Sequence, residues 1–128
     1  MATTFTFDEA SALLPEAQRR IGEVAGLVAE LQRLARTLEA GGASGTELPD
    51  AKALEARIDE ALGWFQARSI QVKGVAPALL DFPARGVIGG QEVEVLLCWR
   101  EGEDAIAWYH PPETGYLGRE PIAQLDDV

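Results

Sequence analysis

The residues able to do chemistry crowd into one stretch. Glu92–Arg119, EVEVLLCWREGEDAIAWYHPPETGYLGR, holds the only Cys, the only His, two of the three Trp and both Tyr. A thiol beside an imidazole is the core of a nucleophilic dyad. The same pair with added carboxylates is the start of a zinc site, which takes about four ligands when structural and about three when catalytic. An arginine beside a histidine and aromatic rings can hold a small anion.

Which of these chemistries is open depends on strand register. Gly102-Glu103 suits a two-residue type II′ turn, which places Gly first. That turn sets Trp99 opposite Ile106, Leu97 opposite Trp108 and Val95 opposite His110. With Val93 these form one apolar face, which must be the core side. Glu92, Glu94, Leu96, Cys98, Arg100, Ala105, Ala107 and Tyr109 fall on the other face. Cys98 and His110 then point apart, and Cys98 reads as a small buried hydrophobe.

His110 is left with three roles. It is a partly buried side chain bonded to a carboxylate or a backbone carbonyl, a ligand-binding or acid–base group, or a metal ligand. One Cys and one His fall short of a metal site unless Asp81, Glu92, Glu103 or Glu113 join them, and no spacing specifies a metal or any other cofactor. Glu103 and Arg119 either form a salt bridge that pins the Gly115–Arg119 loop over the hairpin, or leave Arg119 and His110 to bind an anion. The candidate ligand site is therefore Asp81, Glu103, Trp108, Tyr109, His110, Tyr116 and Arg119. No residue carries a catalytic signature. The Gly86–Gly90 run is a hairpin turn, since it lacks the lysine and the following helix of a phosphate loop.

Several elements must position these residues. Thr4–Phe7 is β-prone and leads into a capping box with Thr6 as N-cap and Glu9 three residues on. A short helix to about Leu14 should break or kink at Pro15, which then opens a longer helix. Ile21, Val24, Val28, Leu31, Ala35 and Leu38 give that second helix an a/d seam, widened by Leu27 and Leu34. From Pro15 to Ala40 it spans ~39 Å, against a radius of gyration of ~14 Å for a compact domain of this length. Gly41 can supply its left-handed C′ residue, and Gly42–Thr46 reads as a flexible loop tip.

A third helix opens at Pro49-Asp50 and runs to about Arg68, with Leu54, Ile58, Ala61 and Phe65 on one face. Together the second and third helices form an αα-hairpin. Ser69–Lys73 alternates as a strand, Leu79–Pro83 is a second strand closed by its Pro, and Arg85–Gln91 turns into the central hairpin. Pro111-Pro112 ends that hairpin, and Ile122 sits in a last short strand before an acidic tail.

The composition of the 128 residues restricts partners. Net charge is −10 with no basic stripe, which argues against nucleic acid. A lone cysteine fits a reducing cytoplasm. The N-terminus has no signal-peptide pattern, and no segment is apolar enough to span a membrane.

Phe5-Thr6-Phe7 with Ala12–Pro15, then Asp81-Phe82-Pro83, Glu92-Val93, Cys98-Trp99, Gly102-Glu103, His110 and Gly115-x-x-Gly118-Arg119, resemble the bacterial family called domain of unknown function 2203. The resemblance covers nearly the whole chain. It departs at Tyr109, where Trp is expected before the His, and at Tyr116, where Phe is commoner. It implies a small bacterial cytoplasmic protein and supplies no activity.

The sequence thus predicts a single α+β domain, a helical hairpin (1–68) packed on a small, mostly antiparallel sheet (69–128). Its first functional reading is a non-enzymatic interaction module that homodimerises through the long helices, because two helices cannot cover so wide an apolar stripe. Its second is a small-anion or metal-binding protein, enzymatic or not, with its site around Glu103, His110 and Arg119.

Overall fold

The computed structural model describes residues 4–41 and 47–125. Two helices, α1 (Phe7–Glu39) and α2 (Glu47–Ala67), precede a five-stranded antiparallel meander. Its strands are β1 (Gln71–Val75), β2 (Ala78–Ile88), β3 (Gln91–Arg100), β4 (Trp108–His110) and β5 (Glu120–Pro121), ordered as in the chain. The α+β class with an N-terminal helical hairpin is as the sequence predicts. The Gly42–Thr46 loop and the acidic tail from Asp126 lie outside the described residues.

The helical capping box is present. Thr6 Oγ1 accepts from Glu9 N at 3.0 Å, and Glu9 Oε1 accepts from Thr6 N at 2.8 Å. The expected break at Pro15 is not: α1 runs through it for 33 residues, about 50 Å at 1.5 Å per residue. Pro15 sits on the exposed side, while its neighbours Leu14 and Ala17 are buried with Ala10, Ile21 and Val24 in one stripe. Core packing on both sides of the proline holds the axis, and only the bond to the carbonyl of Ser11 is given up. Gly41 does serve as the C′ residue, with φ +73° and its N–H donating to Leu38 O.

The helical stripe packs on the sheet face formed by Leu80, Phe82, Ala84, Val95, Leu97, Trp99 and Tyr109, with Phe65 and Ile106 closing the core. Phe5 meets Phe82 edge to face at 5.5 Å and bridges the outer edge of β2 beyond the end of β1. β2 therefore does not stop at Pro83. Within a strand, a residue's N–H and C=O point the same way, and Pro83 O accepts from Phe5 N on the outer edge. The missing proline N–H faces that edge too, so the ladder to β3 loses nothing. The β2–β3 turn shrinks to Gly89-Gly90, both at positive φ, as a type I′ turn requires.

The β3–β4 connection overturns the expected register. Gly102-Glu103 is not a two-residue hairpin turn. Glu103 N donates to Arg100 O, and Gly102 (φ +99°) takes the third position of a turn that ends β3 at Arg100. Residues 104–107 then run outside the strands, and Ile106 drops into the core. When pairing resumes, Leu96 faces His110, Leu97 faces Tyr109 and Cys98 faces Trp108. This is one residue away from the expected pairing, and because side chains alternate, every residue of β4 changes face.

Candidate functional site

That shift assembles a site the sequence had taken apart. Asp81 on β2 is the direct partner of Cys98 on β3, and His110 on β4 lies on the same face one pleat away. This face points away from the helices, yet Asp81, Cys98 and His110 are at most 2% exposed. One donor atom from each, a carboxylate oxygen, a thiol sulfur and an imidazole nitrogen, lie within 4.8 Å of one another.

The hydrogen bonds around His110 constrain its proton. Nδ1 lies 2.8 Å from Pro111 O, and Nε2 lies 3.0 Å from Asp81 Oδ2. A carbonyl only accepts, so Nδ1 carries a hydrogen and donates it. Nε2 and Oδ2 then face each other as lone pairs unless a cation, a proton or a metal ion, is shared between them. Among the described residues, Asp81 Oδ1 is buried with no hydrogen-bond partner of ordinary geometry, and the neighbouring Cys98 thiol is the one weak donor to this carboxylate besides His110. A buried acceptor left in that state costs about 1–3 kcal/mol, so the carboxylate has unused capacity for a ligand.

The loop from Pro111 to Arg119 covers the cluster. Pro111 O also accepts from Thr114 N and Thr114 Oγ1. Gly115 has φ 68° and ψ −167°, a region that side chains exclude. A Cβ on Gly118 would collide with the side chain of Thr114. The Gly115-x-x-Gly118 spacing is thus what lets this loop fold tightly back over the sheet.

Arg119 closes it. Its guanidinium lies 5.0 Å from the Trp108 ring and 4.7 Å from the Tyr116 ring, and Nη2 donates to Glu103 Oε2 at 2.6 Å. Glu103 Oε1 accepts from Arg100 N at 2.7 Å, which fixes the carboxylate to the end of β3. This is the salt bridge over the hairpin that the sequence allowed. Burial opposes the charge on Arg119, but Glu103, together with Cys98 and Tyr116 nearby, outweighs it and the group titrates above the ordinary guanidinium value.

Of the seven candidate residues, Asp81 and His110 form the buried centre, and Glu103, Trp108, Tyr116 and Arg119 form the closure above it. Tyr109 is not part of the site. The shifted register turns it into the core, where its hydroxyl donates to Glu120 at 2.9 Å; burial, then that carboxylate, pushes its pKa up. Of the other acids, Glu92 pairs with Arg85 near the far end of the β2–β3 hairpin, and Glu113 is exposed.

Sequence reasoning weighed Cys98 and left it out of the candidate site because the expected register turned it away from His110, though a signal for their meeting existed. Asp81 sits between the core residues Leu80 and Phe82, so it must face the opposite side. A carboxylate in mid-strand among apolar residues needs a cationic partner, and the chain has one His.

As a nucleophile Cys98 is disabled. Burial first, then the nearby charge of Asp81, pushes its thiol up to about 12 from 9.0, with Arg119 pulling the other way. The thiolate is the reactive form, so its population near neutrality falls about a thousandfold. The imidazole is also spoken for by Pro111 and Asp81. We expect native protein to react with a disulfide reagent at least about a hundredfold more slowly than the urea-unfolded chain. Equal rates measured by thiol titration would contradict the buried, protonated thiol.

Residues 3–122 match the family described as "Uncharacterized conserved protein (DUF2203)". The chain belongs to that family. In this DUF2203 protein the matched region includes both helices and each residue of the buried cluster. Comparison with curated proteins and with solved structures gave no match. Among the described residues, no helix is long and apolar enough to cross a membrane.

Proposed function

We propose that this DUF2203 protein binds a divalent transition-metal ion of the zinc class through Asp81, Cys98 and His110. The observation that carries the reading is the buried meeting of an oxygen, a sulfur and a nitrogen donor on adjacent strands, one of whose acceptors has no partner. The mixed donor set suits zinc or a similarly borderline ion. A single carboxylate does not suit calcium or magnesium, which want oxygen shells. Tetrahedral zinc spaces such ligands by about 3.3–3.6 Å, so donors that lie within 4.8 Å need to draw in by about 1.5 Å at most, and Nε2 and Oδ2, at 3.0 Å, to part slightly. Pro111 O holds the outer nitrogen of His110, as a carbonyl or carboxylate behind a metal-bound imidazole commonly does.

The test is native mass spectrometry on protein purified without chelator, followed by zinc and cobalt(II) titration. One ion per chain is expected, with a thiolate-to-cobalt charge-transfer band that Cys98→Ser removes. A bare mass and no uptake at micromolar metal would assign the shared cation to a proton and the cluster to a structural hydrogen bond.

A second reading concerns the helices, and a separate observation favours it. The sheet covers α1 only as far as Val24, and beyond it Leu27, Val28, Leu31, Leu34 and Leu38 stay half-buried under α2 alone, with Leu48 exposed. Near the sheet the outer side of the hairpin is instead capped by Arg20 and Arg68 stacked on Trp64. A second copy completes the apolar end as a four-helix bundle and makes the protein a homodimeric interaction module. Sedimentation at micromolar concentration that gives the mass of one chain would refute this.

A further inference from the structure

We propose that the bound metal takes its fourth ligand from a small monoanionic carboxylate, whose second oxygen is held by Arg119. This rests on the metal reading above and goes beyond it by naming the co-ligand.

Three protein donors leave one position of a tetrahedral ion open. Arg119 overlies that part of the sheet: it stacks on Trp108, the cross-strand partner of Cys98. Its side chain is nine-tenths buried, and its Nε has no hydrogen-bond partner among the described residues although Nη2 is taken by Glu103. An orphaned buried donor selects for an acceptor. A metal-bound water has committed a lone pair to the ion and chiefly offers protons, so it satisfies Nε poorly. A carboxylate can put one oxygen on the metal and the other on Arg119.

Charge selects the monoanion. With Cys98 as thiolate and Asp81 ionised, a divalent ion leaves the cluster neutral, and Glu103 already balances Arg119. One added negative charge is offset by the N–H donor, whereas a phosphate dianion adds two in a buried place.

The experiment is a sodium acetate titration of the cobalt(II)-loaded full chain at constant ionic strength, read from the visible cobalt bands. Acetate and formate should shift the bands saturably at one per metal. Phosphate at the same ionic strength should not. Arg119→Gln should weaken acetate at least tenfold. Cobalt uptake with bands that ignore acetate overturns this inference alone. Equal responses to acetate and phosphate in the wild-type protein, or an undiminished acetate response in Arg119→Gln, also overturn it. No cobalt uptake overturns the metal reading and this inference with it. The wild-type selectivity keeps the test decisive if Arg119→Gln does not fold.

Discussion

Replacing His110 by alanine in the metal-free protein should lower its stability by about 3–5 kcal/mol, the cost of leaving one partner of a buried polar pair alone. Asp81 and His110 are each 2% exposed, and Nε2···Oδ2 is a 3.0 Å contact that water cannot replace while the 111–119 loop stays closed. The loss should be read from urea unfolding at neutral pH. Asp81→Val with His110→Leu removes both polar groups at once, and should cost less than His110→Ala alone, because no orphan remains. The exposed Arg85–Glu92 pair is the internal control: its side chains are about three-fifths exposed, and Arg85→Ala should change stability by at most about 1 kcal/mol. If His110→Ala costs no more than Arg85→Ala, the pair is not holding the sheet face together.

Arg119→Ala addresses the same closure from outside. Its stack and its bond to Glu103 belong to the loop, so its effect should be smaller than that of His110. The two residues that the sequence grouped as equivalent ligand-site candidates are therefore separable by depth.

The helices were legible because their signals are local. Thr6 and Glu9 make a capping box from neighbouring residues, and the three-four spacing of Ile21, Val24, Val28 and Leu31 needs no partner to be read. Pro15 misled because a proline's cost is local while its tolerance is not: the buried residues flanking it decide whether the helix continues. Pro83 is the strand version of this error, excused by the end of β1 and the arrival of Phe5.

The site was legible in its members and not in its arrangement. Asp81, His110, Glu103 and Arg119 stand out by residue type alone. Their faces depend on one turn, and Gly102 fits both the expected tight turn and the observed one. The difference is a single residue of register, which alternation converts into a full change of side. It moves Tyr109 into the core and brings His110 round to Cys98. Ile106 carries apolar character in both arrangements and could not discriminate between them. Only the requirement that Asp81 find a buried cation favours the observed pairing, and that is a constraint between strands, invisible to local patterning.

Zinc at about a thousand times its dissociation constant should stabilise the native protein by about 4 kcal/mol, since the unfolded chain presents no assembled site. For a chain of this length that is a rise of about 10–15 °C in Tm, measurable by calorimetry with and without chelator. Cys98→Ala should remove most of the rise while keeping the fold, because it deletes a ligand and leaves the Asp81–His110 pair in place. The direction with pH follows from the thiol. Cys98 holds its proton to about 12 in the metal-free protein, so zinc must displace it at neutrality. Protons compete with the ion at the thiol and between Nε2 and Oδ2, so zinc affinity should fall at least about tenfold for each unit by which pH is lowered through the neutral range. A zinc-induced rise of the same size in Cys98→Ala, or one that does not shrink as pH falls, would place the ion elsewhere on this acidic protein.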